Sequence, residues 1–205
     1  MPTSDYHQVW NLTEIPDKEL VARCQQGDRA AFDEIMARYE SKVYNLAYRL
    51  LNNQDDAFDI AQEAFIRIYR GLSRFRGSST LSTWIYRITL NLCLDELKRR
   101  KRRPLSETEL QEDDTPEPLL ERVVDENSDP NVAVESQARQ AIVQWALTQL
   151  PEHHRAVIVL YDLEGLSYTE IAEVLHTNVG TVKSRLNRAR AALKELLQPY
   201  RELFE

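Results

Sequence analysis

Apolar residues recur along this chain at steps of three and four. Phe32, Ile35, Met36, Tyr39, Val43, Leu46, Ala47 and Leu50 form one such series, which predicts a buried stripe over about six turns of helix. Asp28 stands where it can cap that helix, and Asn52-Asn53 closes it. Upstream, Asp17 follows Pro16 and can cap a short helix ending at Gly27. Downstream, Ile60, Ala64, Ile68 and Leu72 step by four and predict a third helix begun at Asp55 or Asp56. Gly71 to Ser79 reads as a polar loop. A fourth helix starts near Ser79–Ser82, carries Trp84, Ile85, Ile88 and Leu92, and dissolves into KRRKRR, Lys98 to Arg103. Trp84 is assigned to the core rather than to a stacking surface. Helical patterning resumes near Asn131. Val143, Leu147 and Leu150 lead to Pro151, and Val157, Ile158 and Leu160 form the next short helix. Period-two runs are scarce, so the expected fold is all-α.

The stretch GLSYTEIAEVLHTNVGTVKSRLNRARAALKELL, Gly165 to Leu197, reads as two helices and a very short turn. Ser167-Tyr168-Thr169-Glu170 fits a capping box. Ile171, Ala172, Val174 and Leu175 supply the buried side of the first helix, and Thr177 or Asn178 can cap the second. Val182, Leu186, Ala189, Leu193 and Leu196 fall on one stripe of that second helix. Lys183, Ser184, Asn187 and Arg188 then point away from the core, with Arg185 and Arg190 towards the flanks. Gly180 leaves the N-terminal turn bare. This is helix-turn-helix geometry, and its outer face can offer cations to phosphates and polar tips to base edges.

A net charge of −7 at first opposes that reading. The acids, however, are concentrated. Pro104 to Pro130 holds ten of them with Arg122 as its one basic residue, so this segment carries −9 and the remainder +2. With four prolines and little apolar surface it reads as an extended linker. The expected organisation is a flexible leader at 1–16, a helical domain at 17–103, a flexible acidic linker at 104–131 and a second helical domain at 132–205. Cys24 and Cys93 stand far apart without metal-ligand spacing, as buried reduced thiols of a cytoplasmic protein would. His153-His154 lacks a third ligand at useful spacing. No apolar run is long enough to span a membrane, the N-terminus has no secretion signal, and neither a catalytic acid pair nor a Gly-rich phosphate loop is present. An enzyme is not expected, and neither is a cofactor.

DDAFDIAQEAFIRIYRGLSRFRGSSTLSTWIYRITLNLCLDELKRRKRR, Asp55 to Arg103, closely resembles the second conserved domain of bacterial sigma factors of the extracytoplasmic-function group. LPEHHRAVIVLYDLEGLSYTEIAEVL and the stretch running on to Leu197 resemble their fourth. The resemblance implies a promoter-specificity subunit without catalytic residues. Its partners would be core RNA polymerase, through the clamp helices of the largest catalytic subunit and the flap of the second, then promoter DNA and an anti-sigma factor. Asp59, Gln62, Glu63, Ile66 and Arg67 would dock on the clamp helices. Phe75, Arg76, Ser78, Ser79, Asn91, Asp95, Lys98 and Arg99 would hold the minus-ten element as single strand, with the run to Arg103 neutralising phosphate. Lys183, Ser184, Arg185, Asn187, Arg188 and Arg190 would meet the minus-thirty-five element in the major groove. The linker would thread towards the active-site cleft and RNA exit path, its acids mimicking nucleic acid or merely keeping a tether soluble. The chain lacks a larger aromatic cluster for melting, so a strict promoter sequence is expected. From the residues alone two other classes stay open, an autonomous helix-turn-helix regulator and a protein-interaction adaptor.

Overall fold

The computed structural model describes residues 15–102 and 130–204, with side chains from Ser136 onward in the second stretch. The leader at 1–16, apart from Ile15 and Pro16, and the linker at 104–131, apart from the start of one helix, lie outside the described residues. No strand occurs among those described. In order come α1 (Asp17–Gln25), α2 (Arg29–Leu51), α3 (Gln54–Leu72), α4 (Leu81–Arg102), α5 (Pro130–Gln149), α6 (Glu152–Ile158), α7 (Tyr168–Val174) and α8 (Val179–Leu197). A π-helical turn, Val159–Leu163, extends α6, and a 3₁₀ turn, Gln198–Leu203, follows α8.

The caps explain most of the boundaries. Asp28 accepts from the amides of Ala30 and Ala31 at the head of α2. Asn52 ends α2 in the left-handed region, which Asn tolerates better than most residues. Two expected caps differ. Asp17 is the first residue of α1, not its cap, because its carboxylate accepts instead from Arg38 and from the Tyr39 hydroxyl of α2. At α3 it is Asn53, not an aspartate, whose side chain accepts from the amide of Asp56. The Lys98–Arg103 run does not dissolve the fourth helix, which continues to Arg102. Glu96 accepts from both Arg99 and Arg100, and Arg100 reaches the Leu51 carbonyl and Asp56. Cations in a last turn also complement the helix dipole.

Helices α1 to α4 enclose one core, with Leu20, Ile35, Val43, Ala64, Ile68, Ile85 and Leu92 buried together. A second core differs from a picture of two units held only by a tether. Leu46, Leu50, Tyr86, Leu90 and Cys93 of α2 and α4 share it with Leu147, Leu150, Val157, Leu160, Leu166, Ile171, Val182 and Leu186 of the C-terminal unit. Both units are helical as expected, but they pack on each other. The cause lies in α4, which is apolar on two faces. Leu81, Ile85 and Leu92 fill the N-terminal core, while Tyr86, Leu90 and Cys93 lie further round the helix and need another cover.

Candidate nucleic-acid and partner interfaces

On α3, the buried positions Ala57, Ala64, Ile68 and Leu72 fix one side to the core. The opposite face brings Asp59, Gln62, Glu63, Ile66 and Arg67 together at helical spacing. Asp59, Gln62, Ile66 and Arg67 are exposed and Glu63 is half-buried. Arg67 Nε donates to Glu63 Oε1 at 2.7 Å. Ile66 is 44 % exposed, beside Tyr69 at 57 % and Phe58 at 59 %, so the face mixes charge with uncovered apolar surface. The sequence reading missed its extension onto α2. Phe32, Met36, Phe65, Ile66 and Tyr69 line a groove between α2 and α3, with Arg29, Asp33 and Arg70 at its edge. Phe32 and Met36 were expected in the buried stripe. Instead Met36 is exposed and Phe32 is half-buried, its ring 4.9 Å from that of Tyr69.

The loop between α3 and α4 carries the second surface. Gly77 has φ +70°, a turn geometry that a side chain would strain. Phe75 is half-buried with its ring 4.9 Å from that of Trp84, which itself packs over Gly71. Gln25 Nε2 donates to the carbonyls of Leu72 at 3.0 Å and Phe75 at 2.9 Å, clamping the loop from α1. No sequence signal pointed to Gln25. Arg76 and Ser78 are exposed. Ser79 Oγ is buried without a hydrogen-bond partner among the described residues. Asn91 and Asp95 are exposed one turn apart on α4. Lys98 Nζ lies 3.4 Å from Asp95, and Arg99 grips Glu96 through two donors. Arg99 holds the Glu96 carboxyl below its usual range, against the opposing effect of burial. Arg100 and Lys101 are committed to Asp56 and Glu152, so the basic run is not a set of free cations.

The third surface is the helix-turn-helix. Ser167 and Glu170 form the capping box, with the Ser167 side chain on the Glu170 amide and Glu170 back on the Ser167 amide at 2.9 Å. The Ser167 hydroxyl also donates to Glu170 Oε2 at 2.7 Å, and this bond, then the one from the Ser167 amide, holds the Glu170 carboxyl low. His176 turns the chain at φ +48°, and Asn178 Oδ1 accepts from the Thr181 amide at 2.8 Å to start α8. Val182, Leu186 and Ala189 are buried, while Lys183, Ser184, Asn187, Arg188 and Arg190 are exposed and Arg185 is half-buried. Ser184 Oγ donates back to the Thr181 carbonyl. Arg190 is held by both oxygens of Asp162 and stacks 5.0 Å from the Tyr161 ring centre. Lys183 Nζ lies 5.5 Å over Tyr168, whose ring is stacked on Tyr161. Burial, with His153, Arg188 and Arg185 nearby, pushes the His154 imidazole below its ordinary value. No group of three His, Cys, Asp or Glu side chains suited to a metal occurs among the described residues.

Residues 35–103 match the Sigma-70 region 2 family, and residues 140–204 match Sigma-70, region 4. The RNA polymerase sigma-H factor of Pseudomonas aeruginosa is 39 % identical over 92 % of this chain and 97 % of its own length. The ECF RNA polymerase sigma-E factor of Haemophilus influenzae is 39 % identical over 91 % and 97 %. Among solved structures, CnrH in complex with the cytosolic domain of CnrY aligns at 28 % identity with a TM-score of 0.65, covering 89 % of this chain and 97 % of that one. The Bartonella quintana sigma factor RpoE, in complex with the anti-sigma factor NepR, aligns at 25 % identity and a TM-score of 0.62, over 82 % and 96 %.

Proposed function

Because this chain belongs to the sigma-70 family, in its extracytoplasmic-function group, and so directs transcription through RNA polymerase, we propose how its surfaces divide that work. The α3 face around Asp59, Gln62, Glu63, Ile66 and Arg67, with the groove beside it, docks on core polymerase. The loop Phe75–Thr80 and the exposed side of α4 hold the minus-ten element as single strand. There the Ser79 hydroxyl, without a hydrogen-bond partner among the described residues, and the Phe75 ring suit a base turned out of its stack. The outer face of α8 reads the minus-thirty-five element as duplex. The chain supplies no catalytic group, since bond formation belongs to the polymerase. Its partners are core polymerase, promoter DNA and an anti-sigma factor, and its place is the cytoplasm. Among the described residues no helix is long and apolar enough to cross a membrane.

One observation carries the promoter-reading part. Lys183, Asn187 and Arg188 project from a helix whose other side is locked in the core by Val182, Leu186 and Ala189. A rigid helix with that outer face suits the major groove. Family membership speaks against an autonomous regulator, and a gel shift tests the point. Chain alone should give little specific duplex binding, and chain plus core polymerase should bind and initiate at mapped start sites. Equal specific binding with and without core would overturn the reading.

A further inference from the structure

We propose that Tyr161 and Tyr168 are positioning residues for promoter contact: anchored by Asp162 and Arg190, they hold the Lys183 ammonium towards a phosphate and leave Ser184, Asn187 and Arg188 to discriminate bases. This rests on the function proposed above and divides the labour within its α8 surface. Five side chains from three elements form one column. Asp162, in the π-helical turn, accepts from Arg190 Nε at 3.1 Å and from Arg190 Nη2. The Arg190 guanidinium lies 5.0 Å from the centre of the Tyr161 ring. That ring stacks on Tyr168, the first residue of α7, at 4.8 Å and 10°. Lys183 Nζ lies 5.5 Å over the Tyr168 ring. Each cation therefore meets a ring face, where the π system is negative. Both rings are half-buried against the C-terminal core, which fixes their position. Lys183 and Arg190 stand seven residues apart on α8, about 10.5 Å along the axis and nearly in line, a gap that the two rings bridge.

The π-helical turn sets the foot of the column. The Glu164 amide donates to the Val159 carbonyl at 3.0 Å, five residues back rather than four. Such a turn shifts the register of the side chains it carries, and turns of this kind are frequent at functional sites. The faces of α8 then separate by role. At about 100° per residue, Ser184, Asn187 and Arg188 form a crest opposite the buried Val182, Leu186 and Ala189. Lys183 and Arg190 share one flank. In a major groove the crest of a helix faces base edges and a flank faces the phosphate wall. Arg190 has two donors and one face committed to Asp162 and Tyr161, so it acts through the column rather than on a base. A lone surface lysine loses much rotamer freedom when it is ordered by a ligand. Holding Lys183 over a ring removes part of that loss before DNA arrives.

Promoter binding by the full chain with core polymerase tests this, measured against salt and across single-base changes in the minus-thirty-five element. Tyr168→Leu removes the ring, and Arg190→Lys keeps the charge but loses the fork that grips Asp162. Each should weaken binding at least threefold, by the same factor on every base variant, and reduce the salt slope by about 1. Tyr168→Phe keeps the ring and should match wild type. Tyr168→Leu combined with Lys183→Ala should be no weaker than Lys183→Ala alone. Additive losses in that double variant overturn the proposal, as does Tyr168→Phe binding as weakly as Tyr168→Leu. An altered base preference in Tyr168→Leu also overturns it. Urea midpoints and co-purification with core check that each variant folds, and if Tyr168→Leu does not, Arg190→Lys combined with Lys183→Ala carries the same additivity test. If wild type and core show no preference among the minus-thirty-five base variants, the proposed function of α8 fails instead.

Discussion

Arg155 shows how much one residue can hold that a pattern of apolar steps does not reveal. It is buried, and its guanidinium donates to the Leu50, Thr148 and Leu150 carbonyls. Burial lowers its pKa, yet the nearby Glu152 opposes that shift. Hydrogen bonds from a charged donor contribute about 1.5–3 kcal/mol each, and leaving the carbonyls dry and unpaired is costly. Arg155→Leu should therefore lower stability by roughly 3 kcal/mol, read as a fall in the urea midpoint. The sequence could not mark this residue, because an arginine beside two histidines at a helix start looks like any exposed cation. The thiols were partly legible. Both were expected to be buried, and Cys93 is, its pKa pushed up to about 12 by burial. Cys24 is only half-buried, with desolvation and then Asp28 and Asp33 raising its pKa. At pH 8 iodoacetamide should modify Cys24 well before Cys93, with Cys93 reacting only in denaturant, as mass spectrometry of the native and unfolded chain would show.

At the scale of elements, local chemistry was the most legible part. The capping box, the Asn178 cap and the buried stripe of α8 all follow from short-range rules that hold wherever the helix is packed. Ser167→Ala should cost about 1 kcal/mol. Glu170 adds a pH dependence with a definite sign. Its folded pKa is depressed, first by the Ser167 hydroxyl and then by the Ser167 amide. Its contribution is therefore full above the unfolded carboxyl value near 4.3 and fades as pH falls through the lower folded one. Wild type should exceed Glu170→Gln in thermal stability at pH 7, and the gap should narrow below about pH 4. Uncovered apolar faces were less legible. A period of 3.6 says that Met36 and Phe32 are apolar, not whether this chain or a partner covers them. On the α3 face, Asp59→Arg should leave the helix intact, since Asp59 is exposed, and should reduce co-purification with core polymerase by at least tenfold. Unchanged recovery with core would remove α3 from the docking surface.

On the scale of the whole molecule, the sequence revealed two helical units and the uneven charge between them, but not that the units share a core. Nothing in the spacing of Tyr86, Leu90 and Cys93 distinguishes a helix with two buried faces inside one domain from a helix that lends its second face to another. That lent face couples the stability of the two units. Tyr86→Phe keeps the buried ring and removes only the hydroxyl bond to Glu164. A hydrogen bond to a charged acceptor contributes about 1.5–3 kcal/mol, so the variant should lower the urea midpoint of the whole chain, with both units still unfolding in one transition. A midpoint equal to that of wild type would mean that the hydroxyl bond does not hold the units together.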